Sequence, residues 1–253
     1  MQYVRFFFGE RPRWGVVEGS SVSELDAAPY LGGKPVGRTY GFDDLQLMAP
    51  VEPSKVICIG RNYAEHAAEL GNLAPTEPMF FLKAPSAVTG PGESIKLPDP
   101  GHAIHWEAEL AVVIGKRAKA VPEERALDYV FGYTIANDVS DRDFQKADAP
   151  FGFGRAKSYD TFCPCGPVLV TDGVNPADVM VTLLCNEEVR QSDSTALMIH
   201  PVPKLISFLS QIMTLMPGDL ILTGTPKGVG AMKVGDLIEI EIPGIGTLAN
   251  SVQ

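Results

Sequence analysis

Residues His105–Ile114 read HWEAELAVVI, two glutamates followed by an apolar run. The run is short, continuous and rich in β-branched residues, which predicts a strand buried in the core. Residues two apart on a strand project to the same face, so Glu107 and Glu109 should stand side by side where the strand begins. Two neighbouring carboxylates that enter a core repel each other and lose hydration unless a cation lies between them.

A third carboxylate, Asp138, stands at the end of the next apolar run, FGYTIAND. Three carboxylates from two strand ends form a set of hard oxygen ligands that suits Mg²⁺ or Mn²⁺. Such a site leaves coordination positions for water and an oxygen-rich substrate. The competing interpretation is a solvated strand edge, since glutamates two apart are common on surface strands. The spacing leaves both interpretations open.

Most of the remaining chain also has the pattern of short strands bounded by glycine and proline. The runs are MFFLKA, SIKLP, CGPVLVT, MVTLLCN, DLILTG, DLIEIEI and GTLANSV. The predicted helices are Asn62–Leu70, Pro122–Asp128, Val139–Lys146 and the amphipathic Val202–Thr214. Because strands outnumber helices and do not alternate with them, a doubly wound parallel sheet is disfavoured and a mainly β fold of the α+β class is predicted.

The predicted domain boundary lies near residue 50. Residues 1–50 contain short extended runs and a glycine-rich loop, GGKPVGRTYGFDD, which predicts a small N-terminal β-rich domain. The segment LMAPVEPSK, with two prolines, is typical of a linker. Residues 51–253 are then the main domain.

Composition limits the classes of partner. The chain has 253 residues, with 21 Lys plus Arg against 31 Asp plus Glu, and a formal net charge of −10. No basic surplus is available to neutralise phosphates, so neither nucleic acid nor a membrane is expected as a partner. Four cysteines are too few for a disulfide framework, and the first residues lack the pattern of a signal or transit peptide. We therefore expect a cytoplasmic protein.

A second polar cluster lies on the helix predicted for Asn62–Leu70, with Asn62 as its N-cap. His66 and Glu69 are three residues apart and share one face, where the carboxylate can orient the imidazole. Such a pair can take a proton from water as a general base. A surface histidine beside a solvated glutamate has the same spacing, and the spacing alone favours that simpler interpretation.

Four further polar residues are candidates for the same site. Arg142 and Gln145 follow Asp138 by four and seven residues, which places all three on one helical face, although surface pairing gives the same spacing. Lys157 is a single cation in a loop before a strand, and Thr225 belongs to a turn after an apolar strand. None of these fragments identifies a site by itself.

Taken together and in this order, six stretches resemble the fumarylacetoacetate hydrolase family. They are IGRNYAEHAAELG, EPMFFLKAPSA, HWEAELAVVIGKRA, FGYTIANDVSDRDFQ, AKSYDTFCPCGP and MPGDLILTGTPKGVG. The chain is most similar to the branch of acylpyruvate hydrolases, oxaloacetate decarboxylases and 2-hydroxyhepta-2,4-diene-1,7-dioate isomerases. The resemblance implies a mixed β-sandwich roll with a few short helices, and a homodimer.

The resemblance also implies a role for each candidate residue. The implied ligands of Mg²⁺ or Mn²⁺ are Glu107, Glu109 and Asp138. The implied catalytic residues are Lys157, beside the metal, and the water-activating pair His66 and Glu69. The implied substrate-binding residues are Arg142, Gln145 and Thr225, the last of which holds a carboxylate.

The implied reaction is cleavage of a C–C bond in a small 2-oxo or 2,4-dioxo acid through a metal-stabilised enolate, by acylpyruvate hydrolysis or oxaloacetate decarboxylation. One alternative is a 2-hydroxyhepta-2,4-diene-1,7-dioate isomerase or 5-oxopent-3-ene-1,2,5-tricarboxylate decarboxylase of aromatic catabolism. Another is a non-catalytic binding module, which the complete set of metal-site residues disfavours. A glycosidase that uses Glu107 and Glu109 is disfavoured, because same-face neighbours cannot readily flank a glycosidic bond from both sides.

Overall fold

The computed structural model of the chain describes residues 1–9, 11–99, 101–150 and 152–253. Strands dominate these residues, which form several sheets and a few short helices, so the predicted mainly β fold is confirmed. The strands are β1 (Gln2–Phe8), β2 (Arg11–Glu18), β3 (Ser21–Leu25), β4 (Pro35–Gly41), β5 (Gln46–Met48), β6 (Val56–Gly60), β7 (Met79–Lys83), β8 (Val88–Thr89), β9 (Ile104–His105), β10 (Ala108–Ile114), β11 (Val130–Asn137), β12 (Ser140–Asp141), β13 (Cys163–Val170), β14 (Met180–Cys185), β15 (Glu188–Ser194), β16 (Leu220–Leu222), β17 (Leu237–Ile242) and β18 (Gly246–Ser251). The α-helices are α1 (Ala64–Glu69), α2 (Arg142–Ala147), α3 (Gly154–Lys157) and α4 (Val202–Ile212). Short 3-10 helices cover Pro29–Leu31, Phe42–Asp44, Pro85–Ala87, Glu123–Tyr129 and Thr195–Leu197.

Strand β10 lies inside the largest sheet, and all of its residues are buried. This twelve-stranded sheet has the order β4-β3-β2-β1-β13-β11-β10-β16-β6-β7, with β5 paired to β1 and β8 paired to β13. Most neighbours are antiparallel, but β16 runs parallel to β6 and β8 runs parallel to β13. A strand covered on both faces needs apolar side chains throughout, which explains the continuous apolar run after Glu109.

Antiparallel pairing of β10 with β11 brings the start of one strand to the end of the other. Ala108 lies opposite Asn137, so Glu107 and Asp138 meet just beyond the paired residues. The Asp138 N–H donates to the Glu107 carbonyl at 2.9 Å across this junction. The topology of the sheet therefore places the predicted carboxylates together.

The first fifty residues contribute strands to the large sheet. Strand β1 pairs with β13, with Gln2 opposite Val170 and Tyr3 opposite Leu169. The loop predicted for GGKPVGRTYGFDD is wrong in part, because Pro35–Gly41 forms β4 at the edge of this sheet. Proline and glycine are tolerated at a sheet edge, where one side of the backbone needs no ladder partner.

Three other predicted elements differ from the structure. The run SIKLP forms only a single bridge, between Ile95 and Val252, and Pro98 has no N–H to extend it. The helix predicted for Pro122–Asp128 is the 3-10 helix Glu123–Tyr129. The helix predicted from Val139 begins at Arg142, because the two residues before it pair as β12 with β9.

Helix α4 shows the amphipathic pattern that the sequence predicts. Val202, Leu205, Ile206 and Leu209 are buried at helical spacing, whereas Ile212 at the helix end is exposed. The four-stranded sheet β15-β14-β17-β18 supplies a further set of buried apolar side chains. Among the described residues, we find no helix with the length and apolar character needed to cross a membrane.

Candidate active site

A cavity of about 390 Å³ opens beside the junction of β10 and β11. Eight of the nine candidate residues line it, and only Glu69 does not. The eight are His66, Glu107, Glu109, Asp138, Arg142, Gln145, Lys157 and Thr225. Residues that are scattered over 160 positions of sequence therefore share one concave surface.

The three predicted metal ligands form a buried cluster in this cavity. Oxygen atoms of Glu107, Glu109 and Asp138 lie within 4.8 Å of one another. At most 5% of each residue is exposed. The alternative of a solvated strand edge is therefore wrong, and these carboxylates need compensating charge.

Cations surround two of the three carboxylates. Lys157, the last residue of α3 rather than part of a loop, donates from Nζ to Glu107 Oε2 at 2.8 Å and to Asp138 Oδ2 at 2.9 Å. Arg142 Nη2 donates to Glu107 Oε1. Burial raises the pKa of Glu107, but Lys157 and Arg142 outweigh this effect and hold the pKa below its ordinary value. Burial alone would lower the pKa of Lys157, but Asp138 and Glu107 raise it above its usual range.

Among the described residues, no cation forms an ion pair with Glu109. Its Oε2 accepts from the Gly224 backbone N–H, and burial together with the charges of Asp138 and Glu107 raises the pKa of its carboxyl well above the ordinary value. At a buried carboxylate close to two others, a divalent cation relieves the repulsion among them. The donor set of three buried carboxylates therefore fits Mg²⁺ or Mn²⁺.

Sequence reasoning missed one cation, Lys83. This residue ends β7, its side chain is fully buried, and its Nζ lies 2.6 Å from Asp138 Oδ1. The same ammonium donates to the carbonyl oxygens of Val139 and Phe162. No local pattern marks it, because a lysine at the end of a strand is usually solvated.

His66 and Glu69 lie on one side of α1 as predicted, but they do not form a hydrogen bond. His66 Nδ1 and Glu69 Oε2 are 3.6 Å apart, and the Glu69 carboxylate accepts from the Gly228 N–H instead. His66 is buried, so the interpretation as a surface histidine is wrong. Burial lowers the pKa of His66, which keeps the imidazole neutral near pH 7.

Asn62 does not cap α1, which begins after Tyr63. Its side-chain amide donates to the carbonyls of His200 and Thr223 and accepts from the His200 N–H. Asn62 therefore holds the turn that presents the Gly224 N–H to Glu109.

Arg142 and Gln145 face the cavity from the first turn of α2. Asp138 lies before this helix rather than on it, because Asp141 is the N-cap and accepts from the Phe144 N–H. Arg142 pairs with Glu107, and its Nη1 donates to Gln145 Oε1 at 2.8 Å. The structure brings these side chains together at the sheet junction and not on a shared helical face.

Thr225 lines the same cavity from the turn after β16 and is buried. Its Oγ1 accepts from Nε2 of Gln191, a residue of β15 that sequence reasoning missed. Gln191 is 34 residues from Thr225 and belongs to the smaller sheet, so no motif joins the two.

The family follows from comparison with known proteins. Residues 55–253 match the family model described as fumarylacetoacetate (FAA) hydrolase C-terminal, and residues 1–50 match the model Rv2993c-like, N-terminal. The chain belongs to the fumarylacetoacetate hydrolase family, as the resemblance predicts, and is an enzyme of that family.

Three relatives have names that state an activity. The chain is 42% identical to the structure of 2-hydroxyhepta-2,4-diene-1,7-dioate isomerase from Mycobacterium marinum, with a TM-score of 0.90 over 100% of this chain and 98% of that one. It is 41% identical to the mitochondrial oxaloacetate tautomerase fahd2 of Xenopus laevis, over 83% of this chain and 69% of that protein. It is 32% identical to maleylpyruvate hydrolase from Sphingobium sp. SYK-6, whose structure is a complex with manganese (II) ion and pyruvate, with a TM-score of 0.82 over 100% of this chain and 98% of that one.

Proposed function

We propose that this protein is a divalent-metal-dependent enzyme that cleaves a C–C bond in a small 2-oxo or 2,4-dioxo acid. The reaction is acylpyruvate hydrolysis or oxaloacetate decarboxylation. The observation that carries the proposal is the cluster of three buried carboxylates, within 4.8 Å of one another, at the wall of a cavity. The relative that holds manganese and pyruvate supports both the cation and the class of ligand.

Formal charge supports an anionic substrate. The negative charges of Glu107, Glu109 and Asp138 are matched by three buried cations, Lys83, Lys157 and Arg142. A divalent cation then leaves a surplus of two positive charges in a poorly hydrated site. Oxaloacetate and fumarylpyruvate-like acids are dianions, and such a ligand restores neutrality.

Each group of residues in the site has its own role in the proposed reaction. Glu107, Glu109 and Asp138 would hold Mg²⁺ or Mn²⁺, which when bound supplies the Lewis acidity that stabilises negative charge developing on the 2-oxo group. Arg142, Gln145 and Thr225, which all line the cavity, orient the substrate carboxylates. Lys157 fixes the orientation of two of the carboxylates and adds positive charge beside the reacting carbonyl.

Hydrolysis of a 2,4-dioxo acid also needs an activated water. Neutral His66 takes a proton from water, the water oxygen bonds to the distal carbonyl carbon, and the bond between that carbon and C3 breaks. C3 leaves with the bonding electrons and is protonated, which yields pyruvate and a carboxylic acid. Glu69 stabilises the imidazolium once the 3.6 Å separation shortens, as catalytic contacts commonly do when substrate binds. Decarboxylation of oxaloacetate releases CO₂ without an attacking water.

The second candidate is an isomerase that moves a proton between carbon and oxygen of a similar acid. The open His66–Glu69 pair favours it, because proton transfer at an enolisable carbon does not need a fully formed water-activating dyad. Two relatives are named as an isomerase and a tautomerase. A 5-oxopent-3-ene-1,2,5-tricarboxylate decarboxylase would use the same residues.

A substrate panel tests the proposal. The panel contains acylpyruvates, oxaloacetate, and the enol and keto forms of the diene-dioate substrate. The wild type and Glu109→Ala are each assayed with Mn²⁺, with Mg²⁺ and after removal of the metal by a chelator. We expect turnover of at least one oxo acid that needs the cation and is lost in Glu109→Ala. Metal-independent turnover in the variant contradicts the proposed site, and no turnover of any member by the wild type favours a binding module.

A further inference from the structure

Gln191 joins the carboxylate cluster to the turn that carries Thr225. It lies on β15 and is 1% exposed. Its Oε1 accepts from the Ala108 N–H at 3.0 Å, and its Nε2 donates to Thr225 Oγ1 at 2.8 Å and to the Pro226 carbonyl at 2.7 Å. Ala108 stands between Glu107 and Glu109, so one side chain connects the backbone of these two metal ligands to the turn that carries Thr225.

The orientation of this amide is decided by its partners. A backbone N–H can only donate and a carbonyl can only accept, so Oε1 must face Ala108 and Nε2 must face Pro226. Rotating the amide by half a turn would set a carbonyl against a carbonyl and an amide against an N–H. Thr225 Oγ1 therefore receives a hydrogen bond from Gln191 and cannot donate to it.

The hydroxyl proton of Thr225 has to point elsewhere. Over residues 1–9, 11–99, 101–150 and 152–253 the Thr225 hydroxyl donates no hydrogen bond to a protein acceptor, and Thr225 lines the cavity. We propose that Gln191 is a positioning residue that makes Thr225 a hydrogen-bond donor into the cavity, and so sets this wall to receive a carboxylate oxygen. The inference rests on the proposed function, because it names what selects the acidic end of the oxo acid.

Gln191 also sets the distance between the carboxylate-binding hydroxyl and the metal ligands. The bond to Ala108 ties it to the backbone between Glu107 and Glu109, while the bonds to Thr225 and Pro226 tie it to the opposite turn. One side chain therefore links the backbone of the metal ligands to the turn that carries the hydroxyl.

A double-mutant cycle tests this role. Pyruvate is titrated into Mn²⁺-loaded wild type, Gln191→Met, Thr225→Val and the double variant, and the Mn²⁺ affinity of each is measured separately. We expect each single variant to bind pyruvate about tenfold to a hundredfold more weakly, as for loss of a hydrogen bond to a charged group. The double variant should be no weaker than Thr225→Val, and Mn²⁺ affinity should change far less than pyruvate affinity.

Two further variants keep the test decisive. Gln211→Met makes the same chemical change at an exposed position of α4 and should bind pyruvate like the wild type. Gln191→Glu keeps the size of the side chain and an acceptor for Ala108. Its protonated second oxygen has one hydrogen, which the Pro226 carbonyl takes, so Thr225 turns its own proton to that oxygen and the same loss should appear even if Gln191→Met fails to fold.

Three results would overturn the inference. The first is wild-type pyruvate affinity in both Gln191 variants, and the second is losses that multiply in the double variant. The third is a fall in Mn²⁺ affinity as large as the fall in pyruvate affinity, which would mark a purely structural role. If Thr225→Val weakens binding and the Gln191 variants do not, only the inference fails. If the wild type binds no pyruvate with Mn²⁺, the proposed function fails and the inference fails with it.

Discussion

Lys83 Nζ lies 2.6 Å from Asp138 Oδ1, and both side chains are almost completely buried. Lys157 Nζ contacts the other oxygen of the same carboxylate at 2.9 Å. Asp138 is therefore held between two ammonium groups that come from separate parts of the chain. This arrangement fixes the carboxylate in one orientation before any ligand binds, which is the preorganisation that a metal site needs.

Replacing Lys83 by methionine should destabilise the protein strongly. The substitution leaves Asp138 with less compensating charge in the interior, and breaking a buried pair from one side costs about 3–5 kcal/mol. Urea unfolding of the wild type and Lys83→Met measures the change. Lys227→Met, which removes the exposed ion pair with Glu65, is the matched control and should unfold almost like the wild type. Equal free energies of unfolding in the two variants would show that the buried pair stabilises the protein no more than the exposed pair does.

Gly224→Ala should damage both the fold and the metal site. Gly224 has φ +101°, and a Cβ there would meet the Asn62 Cβ at 2.6 Å. We expect a loss of about 2–4 kcal/mol in the free energy of unfolding, together with weaker Mn²⁺ binding because the N–H that holds Glu109 moves. Gly19→Ala has a left-handed backbone but open space around it, so it should cost only about 1 kcal/mol and leave Mn²⁺ binding intact. Unchanged Mn²⁺ affinity in Gly224→Ala would argue against this contact.

His66→Ala should separate the two cleavage reactions. Acylpyruvate hydrolysis needs His66 to take a proton from water, so it should fall by about a hundredfold or more, whereas oxaloacetate decarboxylation should fall much less. Steady-state rates on both substrates with the same enzyme preparation give the ratio, and decarboxylation serves as the internal control. Equal losses would remove His66 from the water-activating role.

The pH dependence of hydrolysis should reflect the protonation of His66. Burial lowers the pKa of His66 below its ordinary value of 6.5, so the imidazole is a neutral base above that range and is protonated as the pH falls through the lowered pKa. Hydrolysis by the wild type should therefore decline on the acid side with a midpoint below pH 6.5. Decarboxylation should lack this step, and so should the residual hydrolysis by His66→Ala. If both reactions decline in the same way as the pH falls, the decline comes from protonation of the metal site and not of His66.

The central strand and its carboxylates were predictable because their signal is local. The run from Glu107 to Ile114 contains the strand period, the burial and the acidic pair within a few residues. The position of Asp138 beside the two glutamates also follows from sequence order, since consecutive antiparallel strands bring the end of one strand to the start of the other. The homodimer implied by the family resemblance stays a prediction.

The cations and the amide around the site were not predictable, because tertiary contacts alone define them. Lys83 meets Asp138 across 55 positions, and Gln191 meets Ala108 across 83 positions, in each case between distant segments of the chain. Strand β4 was missed for a related reason: an edge strand with proline and glycines has almost no burial pattern, and pairing with β3 decides its conformation.

A crystal structure of the protein soaked with Mn²⁺ and pyruvate, with data collected to record the anomalous signal of manganese, tests the central claim most directly. Our account predicts one strong anomalous peak among the carboxylate oxygens of Glu107, Glu109 and Asp138, with pyruvate between this peak and Thr225. A pocket without the peak, or manganese bound by other residues while these three side chains keep their contacts with lysine and arginine alone, would contradict it.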